Sequence, residues 1–217
     1  NKDDIYTREW NVDPEIPMNE DCLYLNIWTP ADAQPGDKLP VFFWVHGGAF
    51  LHGCGAEKEF DGEQFARNGV ILVTINYRVG ALGFFAHPDL AAENPEGLSG
   101  NYGIYDQIAA LTWCRQNIAS FGGDPDNVPI FGQSGGGGKI SSLLQTPAAD
   151  GLFHKCIIMS GIADGIMYQE GDSRPLVDGM LKELGLTADE CEKLETLPYE
   201  QLVQAYKKVS PAIQAAG

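Results

Sequence analysis

Positive charge is scarce in this sequence. Its 217 residues include 14 Lys and Arg against 30 Asp and Glu, a formal net charge of -16. A field of that sign disfavours the approach of nucleic acid or of an anionic membrane surface. Long apolar runs are missing as well, because Gly, Pro or a charge interrupts each hydrophobic stretch before the roughly 20 residues a membrane span needs. The five cysteines (Cys22, Cys54, Cys114, Cys156 and Cys191) contain no CxxC pair. Neither a zinc site nor a disulfide framework is indicated, and the odd number leaves at least one thiol without a partner in the chain. Only four histidines occur, His46, His52, His87 and His154, so candidates for a general base are few. Residue 1 is Asn and no charged-then-apolar leader precedes the first strand-like segment. This fits removal of a leader or another N-terminal segment, and leaves the compartment of a soluble protein, cytoplasmic or secreted, open.

What remains is the composition of a soluble globular domain, 44% apolar and 20% charged, which can bury a core and is not that of a disordered chain. Residues 1–20 are polar and Pro-containing and read as surface loop. Leu23, Leu25 and Ile27 alternate with Tyr24, Asn26 and Trp28, the period of a strand with two unlike faces. Residues 41–45 form a continuous apolar run expected as a strand covered on both sides. A short helix over 63–68, closed by Gly69, leads into a second apolar strand over 70–75. The Gly-, Pro- and Asn-rich stretch 77–103 reads as a long connection bordering a site. Ile104, Ile108, Leu111, Cys114 and Ile118 then recur at helical spacing, stopped by Gly122-Gly123-Asp124-Pro125. A strand over 128–131, a helix over 135–145 and a buried strand over 156–159 follow. Beyond Pro175 the pattern is of short helices, with Thr187 and Glu190 spaced as a capping box and Pro198 suited to a first helical turn. Strands alternating with helices predict an α/β fold, with a mostly parallel sheet and helices on both faces.

Two motifs carry chemistry. Gly132-Gln133-Ser134-Gly135-Gly136 fits G-x-S-x-G and joins a short apolar strand to a helix, the context in which that motif makes a tight turn exposing a nucleophilic serine hydroxyl. His46-Gly47-Gly48-Ala49-Phe50 follows an apolar strand far upstream, where α/β-hydrolases place the loop that completes an oxyanion hole. Small residues there let the backbone come close to an acyl group. The expected site is therefore Ser134 as nucleophile, with the N–H groups of Gly48, Ala49 and Gly135 as oxyanion donors, each typically worth about 3 to 4 kcal/mol in a transition state.

A serine nucleophile needs a base, and in this fold class the order is Ser, then Asp or Glu, then His. Only His154 lies beyond Ser134. It precedes the strand over 156–159 whereas Ser134 follows the strand over 128–131, so in a parallel sheet the two occupy opposite ends, about 15 Å apart. His46 and His52 bracket the oxyanion loop and are expected to shape it. His87, beside Pro88, reads as a loop residue.

Several segments together resemble the type-B carboxylesterases, the family of cholinesterases, bacterial para-nitrobenzyl esterases and the non-catalytic neuroligins. The resemblance runs from about residue 19 to 161. It rests on Glu20-Asp21-Cys22-Leu23-Tyr24-Leu25-Asn26, on 46–50, on Asn76-Tyr77-Arg78-Val79-Gly80 and on Gly100-Asn101-Tyr102-Gly103 with Asp106-Gln107. Phe121 to Pro125 and the nucleophile segment 131–137 complete it. It implies a carboxylic ester hydrolase acting through an acyl-enzyme on a small-molecule ester, with no cofactor. It also implies that residues 1–217 form the N-terminal part of a single α/β-hydrolase domain, incomplete in this chain, with 175–217 a helical segment after the sheet core. The acid and His of the triad are then expected in a downstream segment of the same protein, in one polypeptide or as a second chain. By the same resemblance Ser160 would support that acid, and Arg78 and Asp106 would form a structural ion pair. The family usually has Glu before the serine and Ala after it, where this chain has Gln133 and Gly135. Gln133 weakens any inference of a preference for cationic choline esters. Cys22 occupies a position that is disulfide-bonded in secreted animal relatives, but no matching upstream cysteine is present and no bridge is inferred. An adhesion module on the same scaffold and an acyl transferase remain alternatives at the level of sequence.

Overall fold

A computed structural model describes residues 16–86, 88–95, 97–161 and 174–216. Most of the expected N-terminal loop, and His87, lie outside the described residues. The chain divides into two compact units, residues 1–80 with 103–165, and residues 81–102 with 166–217.

The first unit is built on a five-stranded sheet. Its strands are β1 (Leu25–Trp28), β2 (Val41–Val45), β3 (Ile71–Ile75), β4 (Pro129–Gln133) and β5 (Lys155–Met159), in the order β1-β3-β2-β4-β5. The β2–β3, β2–β4 and β4–β5 pairs are parallel and only β1 runs antiparallel, against β3. All five residues of β3 are buried, as befits a β-branched and apolar run covered on both faces. In β2, Val41, Phe43 and Val45 are fully buried. Helix α1 (Glu63–Arg67) packs on β1 and β3, and its chain exits through Gly69 at a φ of 73°.

Two expectations are corrected here. The stretch 77–103 is not a structureless connection. It contains α2 (Gly80–Phe84) and α3 (Pro88–Glu93), because Leu82, Phe85 and Leu90 among its glycines and prolines supply an apolar face. The strand at 155–159 is not buried either: four of its five residues are exposed, with Ile157 at 46% and Met159 at 37%. Its apolar composition is that of an interior strand, yet among the described residues its only ladder is to β4. Apolarity alone reports what a strand is suited to, not what covers it.

Helix α4 (Tyr102–Asn117) buries Ile104, Leu111 and Cys114 at the expected spacing, and a 3-10 turn over Ile118–Phe121 ends at Gly122 in the left-handed region. Its first turns carry Asp106, only 5% exposed at the side chain, which ties down the chain leaving β3. Arg78 donates to both Asp106 oxygens, through Nε at 2.9 Å and Nη2 at 2.7 Å, and its backbone N–H donates to Oδ2 at 2.9 Å. A bidentate guanidinium–carboxylate pair is the most directional ion pair available to side chains.

The second unit is helical. With α2 and α3 it contains α6 (Arg174–Leu184), a 3-10 segment over Ala188–Thr196 and α7 (Tyr199–Ala216). Val177, Leu181, Cys191, Leu194 and Leu202 form its apolar core, with Leu82, Phe85 and Leu90 packed against it. The capping box is present, with the Thr187 N–H donating to the Glu190 carboxylate at 3.1 Å. Pro198 stands just before α7 and accepts from the Gln201 N–H at 2.9 Å. All five cysteines are free thiols. Among the described residues no helix is long and apolar enough to cross a membrane.

In the full-length protein, Asp106→Ala removes the buried carboxylate that both the Arg78 guanidinium and its N–H engage. The expected cost is about 3 kcal/mol, the low end for such pairs because Arg78 is partly solvated, read as a lower urea midpoint. An unchanged midpoint contradicts an anchoring role, and lost turnover at unchanged stability assigns the pair to chemistry instead.

Candidate functional site

The turn from β4 into α5 (Gly135–Leu143) places Ser134 in a conformation side chains rarely adopt, with φ 55° and ψ -125°. Such backbone costs on the order of 1 to 3 kcal/mol and persists only where its surroundings fix it. Three contacts fix it here. The Ser134 N–H donates to the Met159 carbonyl at 2.8 Å and the Ser134 carbonyl accepts from the Gly138 N–H at 3.1 Å. The third is an approach of bare backbone: a methyl group on Gly136 would lie 2.2 Å from the Val45 carbonyl oxygen at the end of β2. Glycine at 136 is therefore a spatial necessity. The result is a serine side chain exposed at the C-terminal end of a central strand. Its hydroxyl makes no capping hydrogen bond to α5.

The loop after β2 comes to the same place. A methyl on Gly47 would stand 2.9 Å from the Gln133 carbonyl and 3.5 Å from Ser134 Cβ, and one on Gly135 would stand 3.1 Å from Ala49 N. Gly48, Ala49 and Phe50 all have positive φ, at 97°, 51° and 66°. Ala49 and Phe50 are strained there, and the loop is held by the Leu51 N–H to Gly48 O at 2.9 Å and the Gly80 N–H to Phe50 O at 2.6 Å. The N–H groups of Gly48 and Ala49 donate to no backbone acceptor among the described residues. Gly135, as the first residue of α5, has no intrahelical acceptor for its own. The backbone of 47–49 and the first residue of α5 thus come together beside the exposed serine.

His46 underlies this loop and is not placed to act as a base. It is 1% exposed, its ring stacks on Tyr77 with centroids 4.1 Å apart, and Nδ1 lies 2.9 Å from the Gly47 carbonyl. A carbonyl only accepts, so Nδ1 carries the proton. Burial holds His46 neutral down to about 3. The Tyr77 hydroxyl donates to the His46 carbonyl at 2.5 Å, and burial raises Tyr77 well above its ordinary value. His154 sits at the far end of the sheet, where its Nδ1 accepts from the Val128 N–H at 3.1 Å. The five residues of β4 separate that position from Ser134, about 20 Å. Ser160, with φ 51°, follows β5 directly and lies at the same end of the sheet as Ser134. Among the described residues no group of His, Cys, Asp and Glu could hold a metal ion.

The comparisons with known proteins bear on this geometry. The sequence profile of the carboxylesterase family matches residues 2–216. The chain belongs to the carboxylesterase family. It is 45% identical over 193 residues to the para-nitrobenzyl esterase of Bacillus subtilis (strain 168), covering 88% of this chain and 38% of that protein. The fumonisin B1 esterase of Sphingopyxis macrogoltabida is 49% identical over 142 residues, 65% of this chain and 26% of that one. Among solved structures, an esterase from Clostridium hathewayi that can hydrolyze aliphatic aromatic polyesters superposes with a TM-score of 0.83 at 53% identity, over 93% of this chain and 40% of its own. A thermophilic para-nitrobenzyl esterase gives 0.80 at 41% identity, over 91% and 39%. The fold is that of the α/β-hydrolases, and the chain spans about two fifths of the length of these structural neighbours.

One residue at this candidate site escaped the sequence reading. Lys139, on the first turns of α5, is fully buried and donates to the Gly135 carbonyl at 3.1 Å. A lysine after four glycines reads as a solvated helix position. The signal that could have found it is its i+4 spacing from Gly135, which puts it on the same helix face as the expected oxyanion donor.

The histidine yields a test by pH. His46 binds its proton less tightly folded than unfolded, so between about pH 6.5 and 3 the unfolded state holds more protons and stability falls as pH falls through that window. Urea titrations of the full-length protein at pH 7.5 and pH 5 are expected to show a larger acid loss for the wild type than for His46→Gln. Equal losses in the two proteins contradict a buried neutral His46.

Proposed function

We propose that this chain carries the nucleophile and oxyanion hole of a serine carboxylic ester hydrolase. The observation that carries the reading is the approach of the Gly47–Ala49 backbone to an exposed, strained Ser134. The Ser134 hydroxyl attacks the ester carbonyl and gives up its proton to a base. The resulting oxyanion accepts hydrogen bonds from the N–H groups of Gly48, Ala49 and Gly135, the alcohol leaves with a proton, and water hydrolyses the acyl-enzyme. The contacts that hold the strained turn and loop keep these donors in place before substrate arrives, so little reorganisation accompanies the reaction.

The base and its acid come from the part of the protein's relatives that this chain does not span. His46 is locked under the loop and His154 is at the wrong end of the sheet. Ser160, beside the nucleophile at the end of β5, is assigned to support of that acid. The exposed apolar residues of β5 suit packing by the part of the relatives that this chain does not span. The substrate is a small-molecule ester, as the relatives' names support.

Treatment of the full-length protein with an organophosphonate is expected to abolish hydrolysis of para-nitrophenyl acetate and to place one adduct on the peptide containing Ser134, with Ser134→Ala neither labelled nor active. An adduct on another serine, or none in a folded active enzyme, overturns the assignment. The 217-residue chain alone is expected to show no Ser134-dependent turnover, because a serine without a base stays protonated at neutral pH. Robust turnover by that chain would mean that a base lies within it.

A further inference from the structure

Lys139 is an expensive residue where it stands. It is 0% exposed, on a helix whose neighbouring positions 136–138 are glycines, and any small or apolar side chain would avoid the desolvation of an ammonium group. Its surroundings are arranged for a cation. Nζ lies 3.9 Å from the centre of the Phe50 ring and 5.0 Å from that of Tyr77, within the range of cation–π attraction, and 3.1 Å from the Gly135 carbonyl. Those partners belong to the two elements that carry the proposed oxyanion donors. Phe50 directly follows Ala49 in the strained loop, and Gly135 opens α5. A methyl on Gly135 would stand 3.1 Å from Ala49 N and 3.4 Å from Lys139 Nζ, so the ammonium sits where loop and helix meet. The bare Gly135 leaves that space open.

Resting on the serine-hydrolase reading, we infer that Lys139 is a positioning residue of the oxyanion hole, whose ammonium clamps the Ala49–Phe50 turn to the first turn of α5 and places a positive charge behind the donors. Its ammonium donates to the Gly135 carbonyl and stacks under the Phe50 ring, so the role inferred is one of holding backbone in place and not that of base.

The role has a pH signature. Burial lowers the Lys139 ammonium to about 7, so the clamp is charged below that value and neutral above it. From β2 it is faced by His46 and from the chain after β3 by Tyr77, with the Glu57 carboxylate acting on Tyr77 in turn. His46 stays neutral to about 3 and Tyr77 is raised well above 10. Burial likewise raises Glu57, whose titration belongs to the acid side. Of these four groups, Lys139 is the one that changes charge just above neutral pH. Between about 7 and 10.5 the unfolded chain holds the proton that the folded chain has lost, so stability rises with pH in the window where the clamp's charge disappears.

The test compares Lys139→Met, Lys139→Arg and wild type in the full-length protein, with kcat, KM and melting temperature measured from pH 6 to 10. The wild type is expected to lose kcat as pH rises above about 7 while its melting temperature does not fall. Lys139→Met should lower kcat about 10-fold or more at pH 6.5, with KM nearly unchanged and no alkaline limb. Lys139→Arg, which keeps its charge, should retain most of kcat and also lose the limb. A Lys139→Met protein with wild-type kcat and the same limb overturns the inference. If that variant does not fold, a wild-type kcat that is flat from pH 6 to 10 overturns it as well. Organophosphonate labelling of wild-type Ser134 is run alongside: its absence is failure of the serine reading, whereas normal labelling with unaltered Lys139→Met kinetics is failure of this inference alone.

Discussion

The site depends on one contact between backbones, that of the β4–α5 turn with the end of β2. At 2.2 Å from a methyl on Gly136 to the Val45 carbonyl, no side chain fits between them. The helix consequently starts hard against the sheet, and Ser134 must turn through a positive φ to connect them. That single packing choice exposes the hydroxyl, points the first turn of α5 toward it, and brings the β4–α5 turn beside the loop that leaves β2. Parallel pairing of β2 with β4 makes the third consequence unavoidable, since both strands end on the same side of the sheet.

A second tier of buried groups keeps the loop in shape. His46 stacks on Tyr77, whose hydroxyl returns to the His46 backbone, and Lys139 fills the space under Phe50. Polar side chains this deeply buried are stabilising only when their partners are in place. They hold the Ala49–Phe50 turn in its strained conformation, which is the preorganisation that the proposed oxyanion donors require. The Arg78–Asp106 pair performs a similar service one layer away by tying the exit of β3 to α4.

Much of this was legible in the residues, for a physical reason. The motif around Ser134 and the small residues 47–49 are local demands of backbone geometry, and such demands are written in consecutive positions. The exclusion of His154 followed from strand order alone, and the Val128 N–H to His154 bond places it at the predicted end. Three features were not legible. The helices within 77–103 depend on apolar residues packing against a core formed from sequence more than 80 positions later, as Leu82 and Phe85 do with Val177 and Leu202. The exposure of β5 depends on what covers it, which its own composition does not state. Lys139 owes its burial to Phe50 and Tyr77, distant in sequence, and nothing in a glycine-rich helix start announces that a lysine there turns inward. The family assignment, resting on residues 2–216, agrees with the segments read first from the chain.

The central claim is that the 132–136 turn and the 46–50 loop form one oxyanion-binding site around Ser134. A crystal structure of the full-length protein after reaction with an organophosphonate tests it most directly. Phosphorus is expected bonded to Ser134 Oγ, with the phosphonyl oxygen about 3 Å from the backbone nitrogens of Gly48, Ala49 and Gly135. A phosphonyl oxygen turned to solvent, with those three N–H groups unengaged, would contradict it.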